Sequence, residues 1–245
     1  MKQFPRLLGS KFLAETYADG SYAAKNGQFG DDTASWKAAN ILAMMQARQH
    51  HPQTIGELGC GGGKILVELA KHLSNTREFH GYEPMPEAFA VCQSRATDKI
   101  QFFPQSLDAT SASKHYDTLL MIDVFEHVED YLGFLRGVRE LADTFYFHIP
   151  LDMSVQMVAR MKPFQVLREE VGHLHYFSKD TALATLNQAG YQILDHTYTD
   201  GSSSGYGSLK YRIMKWPRKV SYALSPDLAV RFLGGYSLLV AAKKK

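Results

Sequence analysis

Apolar residues along the chain alternate between short continuous runs and stretches with helical spacing. Trp36, Ala39, Ala43 and Met44 recur at helical spacing and predict an N-terminal helix near residues 33–48. The downstream alternation predicts strands at residues 54–58, 79–83, 100–103, 116–123, 144–149, 191–194 and 236–242, and helices after the first strand and at 86–96, 129–142 and 179–189. Strands that alternate with helices favour a doubly wound α/β fold with a mostly parallel sheet.

Local signals add detail to this alternation. The continuous apolar run at 118–122 is typical of a strand covered on both faces. Ser178 is a predicted helix N-cap, and Gly190 a predicted C-cap. The glycine- and serine-rich residues 200–209 predict a flexible loop.

Composition narrows the function classes. The chain has 245 residues, of which 45% are hydrophobic and 21% charged, so we expect one main globular domain. A net charge of +2 argues against nucleic acid as the partner. Cys60 and Cys92 have no CxxC or Cys/His spacing, so no metal is expected. The sequence has no signal-peptide pattern and no run of about 18 apolar residues, so we expect a soluble cytoplasmic protein.

A glycine-rich turn follows the first predicted strand and leads into a helix. A dinucleotide fingerprint needs glycine at position 64, which is Lys64, and a phosphate loop needs Ser or Thr at position 65, which is Ile65. The remaining pattern has Glu57 before glycines 59, 61 and 63, and Glu83 ends the next strand. A carboxylate there can accept hydrogen bonds from ribose hydroxyls. The pattern therefore predicts a nucleoside ligand.

Four motifs occur in a fixed order along the chain. They are Glu57-Leu58-Gly59-Cys60-Gly61-Gly62-Gly63, Gly81-Tyr82-Glu83-Pro84, the segment from Asp117 to Asp130, and His173-Leu174-His175-Tyr176-Phe177-Ser178. This ordered set resembles the class I S-adenosylmethionine-dependent methyltransferases. It is most similar to the small-molecule branch that includes the ubiquinone and menaquinone biosynthesis enzymes. The resemblance covers residues 54–198 and the last strand.

The resemblance implies a fold, a cofactor and a domain organisation. It implies a seven-stranded Rossmann-like sheet with an antiparallel last strand. S-adenosylmethionine would be the cofactor, and S-adenosylhomocysteine the product. Residues 1–50 would form an N-terminal helical cap or lid. Residues 51–245 would form the methyltransferase domain, with an insertion at about 199–235 before the last strand.

The resemblance also assigns cofactor-binding residues, from Glu57 at the first strand onward. Gly59, Cys60 and Gly61 would line the amino-acid part, Glu83 would hold the ribose, Pro84, Ser106 and Leu107 would surround adenine, and Asp123, Val124 and His127 would lie near the sulfonium. Two residues depart from the family pattern. Ser106 stands where many relatives have a carboxylate, so Asp108 or backbone could contact adenine instead, and Gly56 replaces a bulkier strand residue.

Histidines are the candidate catalytic residues. Methyl transfer needs alignment of the reactants, and a hydroxyl acceptor also needs a base. We predict His127 and His148 as catalytic residues, although His127 could instead cap the next helix. Candidate substrate residues are Tyr22, Trp36, His173 and His175. For these histidines, and for Trp36 in its helix, an ordinary structural role is the alternative.

Two further features have competing interpretations. Cys60 could be a nucleophile, but a small residue lining the cofactor is favoured because no base is adjacent. Residues 210–219 interleave basic and aromatic side chains, which could bind RNA or an anionic membrane, or shape the acceptor pocket as an insertion.

The predicted function is methylation of a small molecule, with oxygen favoured over carbon or nitrogen as the target atom. An RNA methyltransferase and a catalytically silent cofactor-binding protein are the alternatives. The sequence does not indicate an oligomeric state.

Overall fold

The computed structural model describes residues 27–106, 114–201 and 209–245, with backbone only for 209–216. In these ranges, seven strands form one sheet: β1 (Thr54–Leu58), β2 (Glu78–Tyr82), β3 (Ile100–Phe103), β4 (Tyr116–Ile122), β5 (Ala142–Pro150), β6 (Tyr191–Asp200) and β7 (Tyr236–Lys244). Their order is β3-β2-β1-β4-β5-β7-β6. Strands β1 to β5 are parallel, and β7 runs antiparallel to β5 and β6. This confirms the predicted fold class.

Helices cover the sheet and connect its strands. Those in the described ranges are α1 (Asp31–Ala47), α2 (Lys64–His72), α3 (Pro86–Gln93), α4 (Tyr131–Val138), α5 (Val155–Arg160), α6 (Lys162–Val166), α7 (Lys179–Gln188), α8 (Leu209–Leu224) and α9 (Pro226–Leu233). A 3₁₀ turn at Phe125–His127 follows β4, and a π-helical turn at Leu167–Val171 follows α6. None of the described helices is long and apolar enough to cross a bilayer.

Two hydrophobic clusters flank the sheet. One contains α4 and α7 residues and the aromatic residues Phe145, Phe147 and Tyr191. The other contains α1 and α2 residues packed against Ile55 and Tyr146. Helix α1 therefore contributes directly to the core of the domain. The proposed lid function of residues 1–50 stays a prediction, and residues 1–26 lie outside the described residues.

Close packing explains the glycine in the first strand. A Cβ atom on Gly56 would lie 2.8 Å from Cδ1 of Leu119 and 3.2 Å from the Tyr116 ring. Both neighbours belong to the adjacent strand β4. Strand β1 thus needs no side chain here because the large residues of β4 fill the space.

Most predicted elements lie within a few residues of the observed ones. The predicted N-cap Ser178 forms a capping box with Thr181, and Gly190 has the positive φ of 95° expected after a helix. The helix predicted at 129–142 is shorter, because Asp130 caps it and Ala142 already pairs with Tyr116 in the sheet.

Some structure between β5 and β7 was not predicted. Strand β6 extends to Asp200 because β7 pairs along its full length, although its central residues are polar and exposed. Helices α5, α6, α8 and α9 were also missed. Residues 202–208 of the predicted flexible loop lie outside the described residues.

Candidate functional site

The glycine turn after β1 adopts a conformation that favours glycine. Gly59, Gly61 and Gly63 have φ values of 64°, 53° and 75°, which side chains with a Cβ rarely adopt. The amides of Gly59 and Cys60 donate to the Tyr82 carbonyl at 2.9 and 3.2 Å, so the turn is fixed to the end of β2. The turn leads directly into α2, whose N-cap is Gly63.

Glu83 lies at the end of β2 and faces this turn. Its Oε2 accepts a hydrogen bond from the Gly61 amide at 2.8 Å, and its Oε1 accepts from the Met85 amide at 2.9 Å. Burial raises the pKa of Glu83, while these two amides oppose that increase. The carboxylate is therefore held against the glycine turn, and its remaining lone pairs can accept hydrogen bonds from a ligand.

A cavity with about 340 Å³ of empty space lies beside the turn. Its lining comes from the glycine turn, Glu57, and the start of α1, including Phe29, Asp31 and Lys37. The Phe29 carbonyl accepts a hydrogen bond from the Gly62 amide at 3.2 Å, and Arg95 forms an ion pair with Asp31. The residues preceding α1 therefore lie across the glycine turn and partly enclose the cavity.

Glu57 contributes a buried carboxylate to this cavity. The residue is 1% exposed, and its Oε2 has no hydrogen-bond partner within the described ranges. Burial raises its pKa well above the usual value, although the nearby Lys37 charge opposes this shift. A cationic ligand in the cavity would compensate this carboxylate, so the site favours a ligand that carries positive charge.

A polar network lies at the carboxyl ends of β4 and β5. Asp123 binds Lys37 Nζ at 2.7 Å and His148 Nδ1 at 2.6 Å, and His148 Nε2 lies 2.9 Å from the Thr199 hydroxyl. Burial disfavours charge on Asp123, but Lys37 and His148 outweigh this effect and lower its pKa. Trp36 packs edge-on against His148 with ring centroids 5.8 Å apart. Both His148 nitrogens are therefore engaged within the protein.

A second cluster forms next to this network, around the 3₁₀ turn. His127 Nδ1 lies 3.1 Å from the Gly172 carbonyl, and His173 Nδ1 lies 2.8 Å from Asp152 Oδ2. The two imidazole rings are 4.9 Å apart and nearly perpendicular. Burial lowers the pKa of His127 to about 4, so its ring is neutral at physiological pH. Glu126 is fully buried beside them, and burial raises its pKa well above the usual value.

His127 does not cap the following helix. The N-cap of α4 is Asp130, whose side chain accepts a hydrogen bond from the Gly133 amide at 2.9 Å. The structural interpretation of His127 as a helix cap is therefore wrong. The catalytic roles of His127 and His148 stay predictions.

The remaining predicted residues have varied environments. Val124 packs against the glycine turn, since a Cβ on Gly59 would lie 3.1 Å from its Cγ2. The Ser106 hydroxyl is buried and has no hydrogen-bond partner among residues 27–106, 114–201 and 209–245. His175 Nε2 lies 2.9 Å from the Val128 carbonyl, which holds it against backbone. Pro84 directly follows Glu83 and is partly buried. Tyr22, Leu107 and Asp108 lie outside the described residues.

Cys60 lines the cavity but lacks the environment of a nucleophile. A hydrogen bond with Cys92, together with burial, raises the pKa of the Cys60 thiol well above its usual value. A nucleophilic cysteine needs a lowered pKa, because the thiolate is the reactive form. The environment therefore favours the prediction that Cys60 is a small lining residue.

Arg218 belongs to the basic segment 210–219, which lies in α8, and its contacts test whether this segment can bind RNA. Its side chain is buried, donates to the Gly234 carbonyl at 2.6 Å and lies over the Tyr236 ring at 4.6 Å. A buried arginine with these partners stabilises the helix–strand contact. It is not available to bind an RNA phosphate.

Sequence reasoning missed three residues of these networks: Lys37, Glu126 and Asp152. Lys37 had a detectable signal, because it lies at helical spacing with the buried Ala34, Ala38 and Ile41 on an otherwise apolar helix face. Glu126 precedes His127 directly, but nothing in the local pattern shows that it is buried. Asp152 has no recognisable motif and is identified by its contact with His173.

Comparison with known proteins identifies the family. Residues 36–196 match the methyltransferase domain family, which is more than half of the chain. The chain belongs to this family. The assignment confirms the resemblance drawn from the ordered motifs, and the match contains β1 to β5, the glycine turn and the two polar networks except Thr199.

Solved structures of methyltransferases share the fold. Magnesium protoporphyrin IX methyltransferase from Synechocystis, with bound SAH, aligns with a TM-score of 0.63 and 14% identity over 96% of this chain and 100% of that chain. The N-methyltransferase NodS from Bradyrhizobium japonicum, in complex with S-adenosyl-L-homocysteine, aligns at 0.55 with 14% identity over 85% of both chains. These neighbours contain the demethylated form of the cofactor that the motifs predict.

Curated relatives match a shorter part of the methyltransferase domain. Ubiquinone biosynthesis O-methyltransferase from Methylobacterium nodulans is 33% identical over 84 residues, which is 33% of this chain and 32% of the relative. The same enzyme from Methylobacterium sp. (strain 4-46) is 28% identical over 87 residues, 34% of each chain. The matched part thus spans about a third of the length of these relatives.

Proposed function

We propose that this methyltransferase transfers the methyl group of S-adenosylmethionine to a hydroxyl oxygen of a small molecule. The observation that carries the proposal is the pairing of the glycine turn with Glu83, whose carboxylate accepts a hydrogen bond from the Gly61 amide. Backbone amides and a carboxylate at the ends of adjacent parallel strands suit a nucleoside ligand. The partly enclosed cavity beside them is lined by the glycine turn and by Glu57.

The charges around the cavity support a cationic cofactor. Glu57 lines the cavity, and one of its carboxylate oxygens has no partner among the described residues. S-adenosylmethionine carries a sulfonium and an ammonium group, and either could approach a buried carboxylate favourably. Lys37 and Asp123 then define the boundary between the cofactor and the acceptor, because Lys37 lines the cavity and binds Asp123.

An oxygen acceptor is supported by two considerations. The curated relatives are named as O-methyltransferases, which is a statement about those proteins. In addition, the β4 end holds polar side chains that can orient a hydroxyl, namely Asp123, His127 and His173. In the reaction, the carbon–sulfur bond breaks and its electron pair stays on sulfur, while an oxygen–carbon bond forms and the acceptor's proton is lost.

We assign different roles to the two candidate catalytic histidines. Both His148 nitrogens have partners, so we propose that His148 positions Asp123 and does not remove the acceptor proton. His127 uses Nδ1 to bind the Gly172 carbonyl. Only its Nε2 is directed to the remaining part of the cluster, so any action on the acceptor goes through that atom.

The test is transfer of an isotopically labelled methyl group from S-adenosylmethionine to a fractionated small-metabolite extract. We expect label in a product whose methyl carbon has the NMR shift of an O-methyl group. Label found only on nitrogen or carbon would contradict the oxygen assignment. Label retained in RNA and absent from metabolites would contradict the small-molecule assignment, and no transfer by a protein that binds S-adenosylhomocysteine would favour the silent alternative.

A further inference from the structure

Glu126 has an environment that the methyltransferase fold alone does not require. It lies in the 3₁₀ turn after β4, is 0% exposed, and neither carboxylate oxygen has a hydrogen-bond partner among the residues that the structure describes. The imidazole Nε2 of His127 lies 3.9 Å from its Oε1, beyond hydrogen-bond distance. Burying a carboxylate without hydrogen bonds is strongly unfavourable. A positively charged group between Glu126 and its neighbours would remove this penalty.

The hydrogen bonds of the two neighbouring histidines use one nitrogen of each ring, Nδ1. The Asp152 carboxylate only accepts hydrogen bonds when ionised, so the proton of His173 lies on Nδ1. The Gly172 carbonyl likewise fixes the proton of His127 on Nδ1. In the neutral tautomer that these hydrogen bonds select, Nε2 is the ring nitrogen with the lone pair. A carboxylate or backbone carbonyl on one ring nitrogen is the usual support for a histidine that binds metal through the other.

The donor atoms are close enough to share one ion. One ligand atom from each of Glu126, His127 and His173 lies within 4.8 Å of the others. Metal bonds of about 2.0–2.2 Å place three donors around one ion roughly 3.3–3.7 Å apart. Binding would therefore need each donor atom to move toward the ion by up to about 0.7 Å, which rotation of the imidazoles and the carboxylate can provide.

We propose that Glu126, His127 and His173 bind a divalent transition-metal ion of the class of Zn²⁺, Mn²⁺ or Fe²⁺. Two imidazoles and one carboxylate form a donor set that suits these ions. It leaves coordination positions open for other ligands. The sequence predicts no metal because it lacks cysteine-containing motifs. That argument does not apply to this cluster, which contains no cysteine.

The ion has a specific role if the proposed function is correct, and this part of the inference rests on it. An oxygen of the acceptor would occupy an open position on the ion. A bound hydroxyl has a lowered pKa, so its proton passes to water before methyl transfer. The oxygen then attacks the methyl carbon, and the carbon–sulfur electron pair stays on sulfur. This role explains how an oxygen acceptor is activated without a free histidine base.

The first experiment measures metal binding without an activity readout. The full chain, purified without a histidine tag and stripped by chelator, is titrated separately with Co²⁺, Zn²⁺ and Mn²⁺. We expect about one ion per chain for at least one metal. For Co²⁺ we also expect visible d–d absorption of an ion with imidazole ligands. A folded protein that binds S-adenosylhomocysteine but retains none of the three ions would overturn the proposal.

Variants locate the ion. Glu126→Gln keeps the shape of the side chain and removes its charge, and His173→Ala removes one imidazole; we expect each to lose the stoichiometric ion. Asp152→Asn alters only the support of His173, and we expect about 10- to 100-fold weaker metal binding. Matched controls are Glu129→Gln and His72→Ala, which change an exposed carboxylate and an exposed imidazole. Equal metal binding in Glu126→Gln and the wild-type protein would overturn the assignment.

Two outcomes separate this inference from the proposed function. If the stripped protein methylates its oxygen acceptor at the full rate, the role of the ion is wrong and the proposed function stands. If the protein binds the ion through these residues but methylates no oxygen acceptor, the metal site stands and the proposed function fails. Binding of S-adenosylhomocysteine by each variant shows that the variant is folded.

Discussion

Two buried glutamates, at the ends of β2 and β4, have opposite environments. Glu83 at β2 is 5% exposed, and two backbone amides donate to its two oxygens. Glu126 at β4 is 0% exposed, and no hydrogen-bond partner for its oxygens is found in the part of the chain that the structure describes. The Glu83 carboxylate is stabilised by hydrogen bonds from the protein, and its remaining lone pairs can accept hydrogen bonds from a neutral sugar. The Glu126 carboxylate lacks such hydrogen bonds among the described residues, so a cation nearby would stabilise it.

This difference divides the sheet edge into two regions with different chemistry. The β1–β2 region is built from backbone amides of the glycine turn and resembles a preformed cofactor site. The β4–β5 region is built from side chains: Lys37, Asp123, Glu126, His127, His148, Asp152 and His173. We infer that the first region determines cofactor binding and the second determines the acceptor and its activation.

The largest expected effect comes from Lys37→Met, which tests whether charge balance stabilises the β4 region. Removing this largely buried cation leaves Asp123 with His148 alone, so we expect a loss of about 2–4 kcal/mol in the free energy of unfolding. Denaturant titration at neutral pH measures it. Lys71→Met, which removes an exposed lysine paired with Glu68, is the control and should change stability by less than about 0.5–1 kcal/mol.

The effect of Lys37→Met on stability should also depend on pH. Asp123 has a lowered pKa in the folded protein, so its contribution to stability is present above the unfolded pKa of 3.8 and is lost as the pH falls further. The stability difference between wild type and Lys37→Met should therefore narrow below about pH 4. A difference that stays constant down to pH 2 would show that Lys37 acts through packing and not through Asp123.

Gly61→Ala tests the backbone character of the β1–β2 region. The new Cβ would lie 2.5 Å from the Phe29 carbonyl oxygen at a φ of 53°, which costs on the order of 1–3 kcal/mol. We expect affinity for S-adenosylhomocysteine to fall about 10- to 100-fold by isothermal titration calorimetry. Gly137→Ala is the control because no atom of the described residues lies within 4 Å of its Cβ; equal binding by both variants would exclude a close-fitting glycine turn.

Glu57→Gln tests whether the buried Glu57 carboxylate destabilises the folded protein when the cofactor is absent. The pKa of Glu57 is raised in the folded protein, mainly by burial. Its ionisation therefore reduces stability progressively as the pH rises above the unfolded value of 4.5. In cofactor-free protein, Glu57→Gln should have a higher Tm than wild type at neutral pH, and the difference should shrink near pH 4. The exposed Glu87→Gln is the control, and matching Tm profiles of the two variants would contradict this account.

The smallest expected effect is on the stability of Asp130→Ala, and it tests whether the cap of α4 is independent of the metal-binding cluster at β4. Asp130→Ala removes the side chain that caps α4, so we expect a loss of about 1 kcal/mol in unfolding free energy. Metal binding should be unchanged, because Asp130 is not among the three ligand residues. The comparison variant is Asp98→Ala on an exposed turn. A loss of metal from Asp130→Ala alone would link the cap to the cluster.

The two regions also differ in how far the sequence predicts them. Glu57, the glycines and Glu83 lie next to strand ends within 27 residues of one another, so strand periodicity and turn chemistry are sufficient to bring them together. The β4 cluster depends on contacts between distant segments. His173 reaches Glu126 because the amides of Leu174 and His175 donate to the Glu126 carbonyl, across helices α5 and α6 that the pattern did not predict.

Lys37 shows the same limit at the level of one residue. A lysine on an apolar helix face signals a buried partner, but the partner Asp123 follows a strand 86 residues later. Sequence spacing on α1 identifies the unusual position, while only the fold identifies the ion pair. The edge strand β6 has the same limit. Its polar residues do not predict a long strand, and only the pairing with β7 shows that it extends to Asp200.

The most direct test of the central claim is calorimetric binding of S-adenosylhomocysteine to wild type and Glu83→Gln, with Glu87→Gln as control. The amide of glutamine cannot accept from both the Gly61 and Met85 amides, and it loses the charge that binds a ribose hydroxyl. Charge-assisted hydrogen bonds contribute about 1.5–3 kcal/mol, so we predict micromolar-range binding by wild type and the control, and about 10- to 100-fold weaker binding by Glu83→Gln. Absence of binding by folded wild type, or equal affinity in all three proteins, would contradict the account.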